Sequence, residues 1–99
     1  EKGDGYLLKR MTVNPGEILS LQSHEHRSEF WYVVEGVATV ECDDEVFEVK
    51  KYESTNIPLQ SKHRLSNNSN EVLKVIEVQI GDVLSEEDIT RYEDRYERD

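Results

Sequence analysis

Apolar and polar residues alternate with a period of two along most of this chain, from Tyr6 to Val13 and again from Ile18 to His26. Such alternation predicts strands with one buried and one solvated face. Asn14-Pro15-Gly16 lies between the two runs. Pro fixes φ and Gly admits positive φ, so this segment predicts a hairpin or a sheet corner. The aromatic and β-branched run Phe30 to Val34 ends near Gly36, and Val37 to Cys42 and Glu45 to Val49 alternate on either side of Asp43-Asp44. That order reads as a meander. After Ser54 to Pro58 come a polar loop from Leu59 to Lys62, a short strand around His63 to Leu65, a turn-rich stretch from Ser66 to Asn70, and a long strand from Val72 to Ile80. About eight short strands in succession predict an all-β barrel or sandwich.

The tail changes period. Ser85 stands three residues before Asp88 as a capping pair, and Ile89, Tyr92 and Tyr96 recur at helical spacing. This predicts a short C-terminal helix over about 85–97 with one apolar stripe, following a barrel over about 5–81. Residues 1–99 thus read as a single domain. Apolar residues make up 35% of the chain, enough for one core, while 22 acidic against 12 basic residues leave a net charge of −10. That balance argues against nucleic acid, whose binding relies on cations displacing counterions. No apolar stretch approaches the roughly 18 residues of a membrane span. Neither a leader segment nor a possible internal disulfide is visible, Cys42 being the sole cysteine, so a cytoplasmic location is expected. The tail's stripe, with Leu19 and Leu21 read as facing away from the site, leads us to expect a homodimer.

The three histidines concentrate the chemistry, as His24 with His26, and His63. Two residues apart on a strand, His24 and His26 point to one face. With Glu29 and His63 they form a set of three imidazoles and one carboxylate that suits one divalent ion, whether zinc, iron, manganese, nickel or cobalt. The alternative is a structural β domain whose histidines bind nothing.

The run from Gly16 through His24-Glu25-His26 and Glu29 to Gly36 resembles the first cupin motif, usually G-x5-HxH-x(3,4)-E-x6-G. Pro58 to Asn67, with His63 inside it, resembles the second, usually P-x-G-x2-H-x3-N. The Gly-to-His gap is longer here, the His-to-Glu gap is shorter, and Gln60 replaces the second motif's Gly. More narrowly, Leu19 to Trp31, Val33 to Ala38, Ser54 to Pro58, Ile76 to Gly81 and Asp88 to Tyr96 are similar to the cupin domain of type II phosphomannose isomerases. The resemblance implies a cupin double-stranded β-helix, or jelly-roll barrel. It also implies metal-assisted interconversion of mannose 6-phosphate and fructose 6-phosphate. Carried over residue by residue, it makes His24, His26, Glu29 and His63 metal ligands and Arg27 a catalytic or substrate-contacting residue. The family commonly has His at the positions of Glu25 and Phe30.

An aldose–ketose interconversion moves a proton between neighbouring carbons and needs both charge stabilisation and a general acid or base. Glu77, beside Gln79, is the candidate for that role. Arg27, Arg64, Lys62 and Lys9 or Arg10 are candidate phosphate donors, with Arg27 and Arg64 first because a guanidinium grips two oxygens. Gln22 and Ser20 share the parity of His24 and could meet sugar hydroxyls, as could Gln79. Trp31 offers an apolar wall. Other metal-cupin chemistry, such as a dioxygenase or epimerase, and a non-catalytic module for a small sugar remain open, because fold alone does not fix function.

Overall fold

The alternation becomes two facing sheets in a computed structural model that describes residues 2–81, 84 and 87–93. The strands are β1 (Lys2–Gly3), β2 (Tyr6–Val13), β3 (Leu21–Ser23), β4 (Arg27–Glu35), β5 (Val37–Cys42), β6 (Glu45–Lys50), β7 (Ser54–Ile57), β8 (His63–Ser66), β9 (Leu73–Gly81) and β10 (Thr90–Glu93). One five-stranded sheet has the order β1-β2-β9-β4-β7, the other β10-β3-β8-β5-β6. All strand pairs are antiparallel.

The Asn14–Gly16 turn is a corner between sheets, since β2 pairs with β9 while β3 pairs with β8. The meander survives at one hairpin, β5–β6, where Asp43 takes a φ of 53°. Between β4 and β5 the chain instead changes sheets at Gly36, whose φ is 87° and where a Cβ would sit 2.6 Å from the Val72 carbonyl oxygen. No other residue type fits there without backbone movement.

The interior is divided along the strand axis. At one end Val13, Val33, Ala38, Val40, Val49, Leu65, Leu73 and Val75 pack into an apolar core. At the other end the inward positions turn polar: β4 runs from Arg27 and Glu29 to Trp31 and Val33, and antiparallel β9 runs from Leu73 and Val75 to Glu77 and Gln79. Apolar burial at one end secures the barrel, and its polar end forms a cavity of about 190 Å³.

Two local expectations change. The strand expected over 18–26 is shorter, with β3 ending at Ser23 and residues 24–26 making a bend. Leu19 packs against the core and lines the cavity, so it does not face outward. The helix expected over 85–97 is not formed by its described residues, because 90–93 form β10 on the edge of β3. Asp88 does not cap a helix; its carboxylate accepts the backbone N–H groups of Glu25 and His26, both at 2.9 Å. Residues 85, 86 and 94–97 of that expectation lie outside the described residues. No helix among the described residues is long and apolar enough to cross a membrane.

Candidate metal centre

Three side chains converge at the polar end: His24 from the bend after β3, Glu29 from β4 and His63 from the start of β8. Their ligand atoms lie within 4.8 Å of one another, and all three residues are buried. Each imidazole is anchored through Nδ1. His24 Nδ1 pairs with the Asp88 carbonyl oxygen at 2.6 Å and His63 Nδ1 with the Ser61 carbonyl oxygen at 3.2 Å. A carbonyl can only accept, so Nδ1 carries the proton in both rings and Nε2 presents its lone pair. Those Nε2 atoms lie 3.2 and 4.0 Å from Glu29 oxygens. Two aimed imidazole nitrogens and a carboxylate are a donor set that fits a divalent ion, with the outer partners such sites require.

The carboxylate is held as firmly as the rings. Trp31 Nε1 donates to Glu29 Oε1 at 2.8 Å, and Arg27 Nε donates to Oε2 at 3.0 Å. Burial works to raise the Glu29 carboxyl, but His63, the Trp31 indole, Arg27 and His24 outweigh it and hold it below its ordinary value. Burial lowers His63 and favours the neutral ring, against the pull of Glu29. Glu77 behaves oppositely. Facing Trp31 across the β4–β9 ladder, it is pushed up to about 7 by burial and by the Glu29 charge. Gln79 Nε2 donates to Glu77 Oε2 at 2.8 Å, while Gln79 Oε1 is buried without a partner.

The remaining expected residues divide. Gln22 and Arg64 line the cavity with His24, Arg27, Glu29, His63, Glu77 and Gln79. Arg64 also donates through Nε to Glu41 Oε2 at 2.6 Å. His26 does not join the cluster: it is exposed, because residues 24–26 bend and two-residue parity does not carry across a bend. Lys62 is exposed outside the cavity, with Nζ 4.4 Å from the centre of the Tyr92 ring. Of the two cations on β2, Lys9 lines the cavity and Arg10 lies on the outer face.

Against known proteins, the family model for the mannose-6-phosphate isomerase C-terminal domain matches residues 1–94. The chain belongs to this family. Alginate biosynthesis protein AlgA of Pseudomonas syringae pv. tomato is 49% identical over 98 residues, covering 99% of this chain and 20% of that protein. Mannose-1-phosphate guanylyltransferase ManC of Salmonella typhimurium is 47% identical over 98 residues, again 99% and 20%. The chain therefore spans about a fifth of the length of these relatives. Among solved structures, a Klebsiella pneumoniae protein with a double-stranded β-helix domain superposes with a TM-score of 0.82 at 16% identity, covering 94% of this chain and 79% of that one. The cupin domain of Schizosaccharomyces pombe Cnp3 gives 0.78 at 13%, covering 83% and 57%. At such identities the likeness establishes the fold, a cupin double-stranded β-helix.

Within the family's frame, the irregular gaps of the first motif disappear if His24 is its second histidine. Five residues then separate Gly16 from Gln22, four separate His24 from Glu29, and six separate Glu29 from Gly36. Gln22 thus takes the place of the first histidine. It sits opposite His63 across β3–β8, and its amide nitrogen donates to Ser20 Oγ at 3.0 Å, which leaves Oε1 as its uncommitted donor atom. Counting gaps from both glycines would have found this register in the sequence. Gln60, at the second motif's glycine position, keeps the left-handed backbone with a φ of 65°. Its N–H donates to the His24 carbonyl oxygen at 2.8 Å.

The two departures from the family's histidines fall outside the cavity. Glu25 is exposed and accepts from Gln60 Nε2, and Phe30 lies at an outward position of β4. Asp88, Ile89 and Arg91 were missed as site residues because a helical reading put them on a remote element, whereas Ile89 and Arg91 line the cavity.

Proposed function

We propose that this domain interconverts mannose 6-phosphate and fructose 6-phosphate, using one divalent ion held by His24, Glu29 and His63 with Gln22 as a further oxygen donor. The observation that carries the reading is the cavity's composition. A buried His–Glu–His cluster lies in a pocket that Lys9, Arg27, Arg64 and Arg91 also line, in a chain of net charge −10. Cations gathered at one cavity of an acidic protein favour an anionic ligand such as a phosphate ester.

When bound, the ion supplies positive charge for the neighbouring oxygens of the sugar. The chain supplies the rest. Glu77 Oε carries the proton between the two carbons, from a wall position two residues from Gln79 on the same face of β9. Gln79 Oε1, buried and unpartnered, accepts a sugar hydroxyl. Arg64 and Arg91 take the phosphate, and Trp31, edge-on to His63 at 5.6 Å between ring centres, closes the apolar side.

A coupled assay for fructose 6-phosphate formed from mannose 6-phosphate, run with manganese, cobalt and zinc in turn, tests the reading. Turnover that disappears in Glu77→Gln while metal content is retained is the expected result. Absence of turnover with all three ions would refute it.

A further inference from the structure

Arg27 occupies the middle of the ligand cluster. It is 9% exposed. Its Nε donates to Glu29 Oε2 at 3.0 Å and its Nη2 to His24 Nε2 at 3.1 Å. Both acceptors belong to the set that could hold an ion. The His24 contact decides the matter chemically. With Nδ1 protonated toward Asp88, the Nε2 atom has one lone pair, and that pair cannot serve an N–H donor and a metal together. A carboxylate oxygen has further lone pairs and could be shared; an imidazole nitrogen cannot.

We propose that Arg27 is the site's resident cation, and that a divalent ion binds by exchange with it. The guanidinium neutralises Glu29 in the metal-free protein, which keeps a buried carboxylate paired and lets the pocket fold before loading. Ion binding then frees at least Nη2 from His24. Arg27 already lines the cavity with Lys9, Arg64 and Arg91, so the freed donors add to its attraction for an anion. Ion and anion therefore bind with positive coupling, each tightening the other by the same factor. This inference rests on the metal reading above.

Zinc affinity, measured by calorimetry against a competing chelator, tests the exchange without any turnover. Removing the competitor in Arg27→Gln should tighten zinc by roughly tenfold or more, the scale of a charge-assisted hydrogen bond that no longer has to be broken. Arg27→Lys, which keeps a charge without the planar fork, should fall between the two. Equal or weaker zinc binding in both variants would overturn the exchange and leave the metal site standing. No zinc binding by any form would overturn the metal site and the exchange with it. Should Arg27→Gln not fold, the wild-type Arg27 Nη–H resonances decide, since Nη2 is the donor bonded to His24 Nε2: their exchange with water should be slow without zinc and faster with it, and an unchanged rate would count against the proposal. Sulfate titrations supply the last arm. Zinc should tighten sulfate binding more in wild type than in Arg27→Lys, and an equal increment would mean that the anion senses the ion alone.

Discussion

Replacing Glu77 with glutamine preserves shape and removes one proton equilibrium. The neutral carboxyl of Glu77 accepts from Gln79 and donates toward Glu29. A glutamine reproduces both, accepting through its oxygen and donating through its amide. Burial and the Glu29 charge raise Glu77 from 4.5 to about 7. Between those values the folded protein holds a proton that the unfolded chain has released, so stability falls as pH rises through that window. It is fully reduced above pH 7. At about 1.4 kcal/mol per pH unit the loss is about 3 kcal/mol, a large share of the 5–15 kcal/mol typical of a domain. Glu77 is 6% exposed, so solvent screens little of it. Urea unfolding in the presence of a chelator, at pH 5 and pH 8, measures the effect. Glu77→Gln should exceed wild type by about 3 kcal/mol at pH 8 and by just under about 1 kcal/mol at pH 5. A difference that is the same at both pH values, or absent at both, would refute the placement of a buried carboxyl beside Glu29.

Three other outcomes follow from the same geometry. His63→Ala should lower zinc affinity by about a hundredfold or more while His26→Ala leaves it nearly unchanged, and calorimetry on both variants would expose an error in the ligand set if the order were reversed. Gln60→Gly should raise stability by about 1 kcal/mol, because a non-glycine residue at a φ of 65° carries left-handed strain; a lower melting temperature would mean that the Gln60–Glu25 bond outweighs it. We also propose that two subunits pair through the outer face of the first sheet, where Tyr6, Leu8, Val34 and Ile80 are exposed. Ile80→Glu should shift the sedimenting mass toward 11.6 kDa, and a wild-type protein already at that mass would remove the idea.

Much of the barrel was legible because each strand has an inner and an outer face, and period-two alternation records that directly. Glu77 and Gln79 could be placed inside for the same reason, since they continue the parity of Leu73 and Val75. Parity failed where the chain bends. His26 shares the parity of His24 on paper, yet the bend at 24–26 turns it outward. The tail failed for a different reason: Ile89 and Tyr92 fit a helical stripe, but an open edge on β3 offered backbone hydrogen bonds that no local pattern reveals. Gln22 was hidden by chemistry, a glutamine where a histidine was sought, although the gaps to Gly16 and Glu29 pointed to it.

Asp88 lies 64 residues from His24 along the chain, yet its carbonyl oxygen orients that ring and its carboxylate pins the bend that bears it. Anyone trimming this domain for expression at the end of β9 would keep a well-packed cage whose aim had been removed. Such a product is expected to bind zinc less tightly than the full chain, so the proposed metal site needs the chain through at least β10.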